Sequence, residues 1–305
     1  MALAFFARNR DLTEWVAAVQ EAAPNSELLV NPQPADYPRV NMAVVWKHDA
    51  QILHQLPNLK LVSSMGAGVD HIIKHPPPKT VPVVRIIDPG MNRQMTQYVS
   101  MAALMAHQYF FFYQQMQRRH RWQPSLSLHE SVVGVMGVGA IGQEVAQGLR
   151  QLGFRVKGWS RKRKNLPGVH CYEAGEWQDF LKGTDILVCL LPLTEATTEI
   201  LNARTFSGLN PQATLINVAR GEHLNENDLL AALDAGQLKR AYLDVFREEP
   251  LPPSHPFWND ERIVITPHVA AITNPRTAAE QITINYQRVM SREPLLNPVN
   301  MENGY

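Results

Sequence analysis

The stretch "VVGVMGVGAIGQEVAQGL", residues 132–149, constrains this chain more than any other. Gly137, Gly139 and Gly142 form a G-x-G-x-x-G pattern that follows an apolar run and opens a helical pattern. In that context the three glycines have separate tasks. Gly137 permits a tight turn, Gly139 lets the backbone approach a pyrophosphate, and Gly142 lets the helix pack on the strand. The first helical turn, with Ala140, Ile141 and Gly142, faces the phosphates with free N–H groups and the positive end of its dipole. A glycine-rich turn without a ligand is the duller alternative, and the strand–turn–helix context weighs against it.

A dinucleotide turn needs a parallel sheet around it. From residue 131 the patterns "SVVGVMG", "FRVKGWS", "DILVCLLP", "ATLINVA", "KRAYLDVF" and "RIVITPH" read as six strands. Helical patterns such as "AIGQEVAQGLRQLG" and "NENDLLAALDAGQL" lie between them, which predicts a doubly wound pair of mononucleotide units, a Rossmann domain. The first hundred residues alternate in the same way. "ALAFFA", "SELLV", "MAVVW", "LKLVSS" and "PVVRI" read as strands and "DLTEWVAAVQEA" as a helix, predicting a second parallel sheet. "KHPPPKT", residues 74–80, is a surface connection. The fold class is therefore α/β with two doubly wound parallel-sheet domains.

Residues 93–118, "RQMTQYVSMAALMAHQYFFFYQQMQR", predict one long helix without Pro or Gly, and residues 276–290 a last amphipathic one. The long helix is apolar almost all round. A core helix and a linker helix that packs on a second subunit are both open.

Composition narrows the function. A chain of 305 residues is comfortable for two cores. Its net charge of +1 makes no field that would recruit nucleic acid or an anionic membrane. No apolar run approaches the roughly 20 residues of a membrane span, and "MALAFFARNR" suits a first strand better than a signal peptide. Cys171 and Cys189 lie in apolar surroundings and read as buried thiols of a reducing compartment, the cytoplasm. No metal site is expected.

Two groups of residues carry the expected chemistry. The first is "WSRK" after the second strand of the glycine-turn domain, where an acidic residue would bind the adenosine ribose. Ser160 can instead donate to a 2′-phosphate and Arg161 can clamp it with a fork of N–H donors, while Lys162 adds field. That favours NADP over NAD; Arg163 and Lys164 read as a solvated turn. The second group is Arg220, Glu249 and His268, each at or just after a strand end. Around a nicotinamide, Arg220 would bind a substrate carboxylate and polarise the adjacent carbonyl. His268 would move the proton, and Glu249 beside it would favour the imidazolium. Asp244 is read near the nicotinamide, with capping of the following turn as the alternative. Trp46 either lines a small-substrate pocket or fills core.

"GVGAIG", "PLTEATTEILN", "LINVARG", "AYLDVFREEPLPPSHPFW" and "VITPHVAA" occur in order, and with them the chain resembles the D-isomer-specific 2-hydroxyacid dehydrogenases over essentially its whole length. "MGAGVDHI", "RQMTQYV" and "WSR" are most similar to the bacterial branch that reduces glyoxylate and hydroxypyruvate. The resemblance implies that Arg220, Glu249 and His268 are the catalytic set. It implies that the amides of Ala67, Gly68 and Val69 hold the substrate carboxylate. It implies further cofactor contacts at Leu191, Pro192, Thr197, Val218, Ala219 and Asp244. It also implies a flavodoxin-like substrate domain of residues 1–98 plus 275–305, with a dinucleotide-binding domain of 99–274 inserted and the helix 93–118 as linker. A homodimer, an NADPH-preferring site that admits NAD, and small 2-oxo acid substrates complete what it implies. Gln97 stands where many members carry Glu, and "VAAITNP" replaces the usual Gly-rich run after the histidine. A D-lactate or phosphoglycerate type of dehydrogenase would share the catalytic set, and a dinucleotide-sensing binding protein would share the fold.

Overall fold

The computed structural model describes residues 2–7, 10–124 and 130–301. The chain forms two compact units, one of residues 1–91 with 273–305 and one of residues 92–272.

The first unit opens with β1 (Ala2–Phe6), α1 (Thr13–Ala22), β2 (Glu27–Val30), β3 (Val40–Val45), β4 (Leu61–Ser64), α2 (Asp70–Lys74) and β5 (Val83–Val84). Its sheet is parallel throughout, in the order β2-β1-β3-β4-β5. That is the flavodoxin-like order, with its switch point between β1 and β3. Every residue of β1 and β3 is buried, as expected of strands covered on both faces. "KHPPPKT" is a connection between α2 and β5.

Two helices follow where the sequence pattern predicts one. α3 (Pro89–His107) and α4 (Phe110–Arg118) are separated at Tyr109, which lies in the left-handed region at φ 54°. Tyr109 opens five consecutive aromatic residues, and aromatic side chains lose rotamer freedom against the preceding helical turn. The division between the units falls inside the first turn of α3, earlier than the sequence reading placed it.

The second unit continues with β6 (Val132–Met136), α5 (Ala140–Gln151), β7 (Arg155–Trp159), β8 (His170–Tyr172), α6 (Trp177–Leu181), β9 (Ile186–Cys189), α7 (Ala203–Ser207), β10 (Ala213–Asn217), α8 (Glu226–Asp234), β11 (Leu238–Leu243) and β12 (Ile263–Ile265). The strands lie in parallel order β12-β11-β10-β9-β6-β7-β8, a Rossmann sheet with its switch point between β6 and β9. The sequence pattern gives six of these seven strands; β8 is only three residues long and shows no alternation to read. α5 lays Gly142, Val145, Ala146 and Leu149 on the sheet, the spacing of one helix face. α8 starts at Asn225, whose side chain accepts from the Asp228 N–H.

The chain then returns to the first unit as α9 (Pro275–Ser291), capped by Asn274 and opened by Pro275. Ala278, Ala279 and Ile282 of α9 enter the core formed by Leu3, Phe5, Trp15, Val19 and Met42. Among the described residues no helix is long and apolar enough to cross a membrane.

Candidate active site

The carboxyl edge of the second sheet gathers the chemistry-bearing residues, and backbone contacts tie its loops together one by one. Gly137 sits at φ 95°, and a Cβ there would lie 2.6 Å from the Leu190 carbonyl oxygen. Only glycine fits that turn. A Cβ on Gly142 would lie 2.0 Å from the Gly137 oxygen, so the first turn of α5 closes on the loop with no room for a methyl group. Gly139 differs: a Cβ there would meet nothing within 4 Å. The backbone is thus open to a ligand just where α5 begins, and Ala140, Ile141 and Gly142 supply the N–H groups of its first turn. This fits a dinucleotide pyrophosphate.

Next to the glycine turn, the Gly137 N–H donates to the Trp159 carbonyl at 2.8 Å, which brings the end of β7 alongside. Ser160 follows, half-buried, with its hydroxyl donating to the Lys162 carbonyl at 2.7 Å. A phosphate would take that hydroxyl by displacing the carbonyl. Arg161 and Lys162 are exposed. Arg163 turns the other way: it pairs with Glu176 at 2.5 Å and donates to the Cys171 carbonyl at 3.1 Å, pinning the turn to β8. Arg161 and Lys162 thus stay exposed after Ser160, while Arg163 acts as a structural tie.

On the other side of the switch point, Leu191 is buried and Pro192 half-buried. The Pro192 carbonyl accepts from the Thr197 hydroxyl at 2.8 Å. It also faces Nε2 of the fully buried His223 at 3.3 Å. His223 Nδ1 accepts from the Arg220 N–H at 3.2 Å, and Asn217 donates to the Arg220 carbonyl at 2.9 Å. Val218 and Ala219 are buried, and the half-buried Arg220 donates one guanidinium N–H to the Ala219 carbonyl at 2.6 Å. Sequence reasoning missed His223 and Asn217, although both stand within three residues of Arg220.

Gly221 joins this loop to the next. Its Cβ would lie 2.0 Å from the Phe246 carbonyl carbon and 2.3 Å from the Arg247 nitrogen. The loop after β11 is folded by Glu249, whose Oε1 accepts from the Phe246 N–H at 3.1 Å. Glu249 and His268 meet, with Oε2 3.0 Å and Oε1 3.2 Å from His268 Nδ1. A carboxylate only accepts, so Nδ1 donates and Nε2 is the nitrogen left for a substrate. His268 lies in the left-handed region at φ 56°.

Asp244 holds that loop. Its carboxylate is 1% exposed and accepts from Thr266 Oγ1 at 2.6 Å and from the Val269 and Ala270 N–H groups at 2.9 Å each. The Asp244 carbonyl accepts from the His268 N–H at 2.8 Å. These bonds run to the loop after β12, more than 20 positions on, and not to the turn that follows Asp244 in the chain. Because the Thr266 proton is committed to Asp244, the Tyr98 hydroxyl donates to Thr266 Oγ1 at 2.6 Å. Burial raises the Tyr98 pKa and so keeps it a donor. Neither Tyr98 nor Thr266 was singled out from the sequence, where a Tyr in a greasy helix and a Thr before Pro carry no signal.

Cys171 and Cys189 are both buried thiols, and burial pushes Cys189 up to about 12.

In the first unit, the loop after β4 carries Ala67, Gly68 and Val69. Ser64, fully buried, accepts from the Gly66 N–H at 3.2 Å and donates to the Gly68 carbonyl at 2.7 Å. Among the described residues, no hydrogen bond is donated by the amides of Ala67, Gly68 and Val69. Trp46 is half-buried against the same loop, since a Cβ on Gly66 would lie 3.4 Å from its ring.

These features meet a family. Residues 100–270 match the model of the D-isomer specific 2-hydroxyacid dehydrogenase NAD binding domain. The chain belongs to the D-isomer specific 2-hydroxyacid dehydrogenases. It is 40% identical to glyoxylate/hydroxypyruvate reductase A of Yersinia enterocolitica, over 96% of each chain. Among solved structures, it is similar to a family member from Xanthobacter autotrophicus in complex with NADPH and MES, at a TM-score of 0.92 and 37% identity. It is also similar to an NADPH-dependent glyoxylate/hydroxypyruvate reductase from Sinorhizobium meliloti in complex with NADP and sulfate, at 0.91 and 36%. Each covers all of this chain with 99% of its own. Membership makes this dehydrogenase an oxidoreductase with two parallel-sheet domains.

Proposed function

We propose that this dehydrogenase reduces small 2-oxo acids, glyoxylate and hydroxypyruvate, to the 2-hydroxy acids glycolate and D-glycerate with NADPH. The observation that carries the reading is the Glu249–His268 pair at 3.0 Å on the same sheet edge as the open glycine turn. The names of its relatives point to the same substrates and cofactor.

Bound at that edge, NADPH supplies the hydride that reaches the carbonyl carbon. Gly137, Gly139 and the first turn of α5 would hold the pyrophosphate, and Ser160, Arg161 and Lys162 the 2′-phosphate. Leu191, Pro192, Thr197, Val218, Ala219 and Asp244 are carried as the remaining cofactor set, Asp244 through the loop it holds. His268 delivers a proton to the carbonyl oxygen from Nε2, while Glu249 fixes the ring through Nδ1. Arg220 polarises the carbonyl. The amides of Ala67, Gly68 and Val69 receive the substrate carboxylate, and Trp46 lines their loop. The compartment is the cytoplasm, in keeping with two buried, unbridged thiols. The assembly is a homodimer, supported by Met101, Phe110 and Tyr113, which leave more than 40% of their surface exposed on α3 and α4.

The test is oxidation of NADPH and NADH against a panel of 2-oxo acids. Turnover of glyoxylate and hydroxypyruvate with preference for NADPH is expected; cofactor binding without oxidation would make the chain a sensor and sink the reading. Ser160→Asp combined with Arg161→Ala should cut the NADPH-over-NADH ratio about tenfold or more, because a carboxylate would repel the 2′-phosphate and the fork would be gone.

A further inference from the structure

Arg10 occupies a place that neither catalysis nor cofactor binding uses. It follows β1 at the carboxyl edge of the first sheet, and Trp46 follows β3 at the same edge. β1 and β3 flank the switch point, the crevice where open α/β sheets take ligands. The Arg10 guanidinium carbon lies 5.2 Å from the Trp46 ring and 5.5 Å from the Trp15 ring. Trp15 is buried in the core, and Trp46 rests on Gly66 at the start of the loop that presents the 67–69 amides. Among the described residues no carboxylate pairs with Arg10.

That arrangement is unusual for an arginine whose only task is packing. Two indole rings lie against the guanidinium and shield part of it from water without neutralising its charge. Burial lowers its pKa yet leaves it cationic. A partly dehydrated donor fork with no acceptor among the described residues favours a ligand that brings one. Trp46 links this fork to the amide loop: its ring lies 5.2 Å from the Arg10 guanidinium carbon, and a Cβ on Gly66 would lie 3.4 Å from the same ring.

We propose that Arg10 is a specificity-determining residue that reads the substituent on C3 of the 2-oxo acid, favouring acceptors such as the hydroxyl of hydroxypyruvate. The proposal rests on the reading of Ala67, Gly68 and Val69 as the carboxylate cradle. Glyoxylate has no C3 and pyruvate carries only a methyl group there, so neither engages the fork. A site built to hydrogen-bond a substrate hydroxyl discriminates strongly against analogues that lack it.

The experiment measures kcat/KM for hydroxypyruvate, glyoxylate and pyruvate in the wild type and in Arg10→Met and Arg10→Lys, with melting temperatures alongside. Arg10→Met keeps the stem between the rings and removes the fork. It should lower kcat/KM for hydroxypyruvate about tenfold or more and change glyoxylate and pyruvate by less than about threefold. Arg10→Lys keeps the charge and the fold and should fall between. An equal loss on all three acids, or no loss on any, overturns the proposal and makes Arg10 a packing residue. A wild type that reduces none of the three acids overturns the functional reading as well, so the two failures are distinct.

Discussion

His268 shows how much of this site depends on bonds made by other residues. A histidine at φ 56° occupies a region that costs a non-glycine residue about 1 kcal/mol or more. Asp244 offsets that cost by accepting from the main chain at 268, 269 and 270, and Tyr98 braces Thr266 against the same carboxylate. The imidazole is therefore aimed by backbone before Glu249 touches it. His268→Ala removes the proton donor and leaves the aim intact. Turnover should fall by about 100- to 10,000-fold while NADPH affinity, followed by fluorescence titration, stays within about threefold. Near-normal turnover would exclude His268 from proton transfer. The positions of Arg220, Glu249 and His268 were legible because each follows a strand, and strand ends can be read from apolar runs. Their contacts were not legible, since Glu249 and His268 stand 19 positions apart and pattern says nothing about rotamers. The hold of Asp244 on residues 266–270 was also hidden, because an aspartate after a strand gives no sign of a partner loop more than 20 positions away.

Elements explain why those loops meet. Parallel strands all deliver their carboxyl ends to one edge, and the order β12-β11-β10-β9-β6-β7-β8 places the ends of β10 and β11 side by side. Gly221 exploits that adjacency: it lets the loop after β10 lie directly on the backbone of residues 246 and 247. A methyl group there would collide with main chain, which cannot swing aside as a side-chain tip can. Gly221→Ala should therefore push on the segment whose Phe246 N–H anchors Glu249. We expect kcat to drop about 10- to 100-fold, since small misplacements of a catalytic group are costly. NADPH affinity should fall less than kcat, because the glycine turn and Ser160 lie beyond β9 and only Val218 and Ala219 of the proposed cofactor set share the Gly221 loop. Wild-type kcat would mean that the two loops do not position the catalytic pair. The sequence made the glycine turn plain and left Gly221 silent, as a single glycine after "INVAR" has no motif to mark its neighbour. The same limit hid β8, and the aromatic run at 109–113 concealed the break between α3 and α4 because periodicity alone continued through it.

At the scale of the molecule, the first unit is built from both ends of the chain. α9 returns after the whole second unit to bury Ala278, Ala279 and Ile282 beside Trp15 and Val19 of α1. The amphipathic pattern of 276–290 predicts a helix, and only the resemblance suggested which sheet it would cover; hydrophobic spacing fixes a face, not a partner. Small residues at 278 and 279 are 0% and 1% exposed, so α9 lies close on its neighbours there. Ala279→Glu would force a carboxylate into a space with no basic residue among the core members, at a cost of several kcal/mol. The second unit holds its own core of Val133, Val135, Val145, Leu149 and Val188 and contains the entire proposed dinucleotide site. The variant should thus lose reduction of 2-oxo acids at a temperature where the wild type is active, while NADPH still binds and protects residues 92–272 from proteolysis. Loss of both together would show that the second unit cannot hold the cofactor without an intact first unit. Retention of both would mean that α9 tolerates the charge by shifting outward. The expected split, binding kept and turnover lost, follows from a chain that assigns its cofactor turn to one continuous segment and its amide loop to another unit, which is completed by a helix beginning at Pro275.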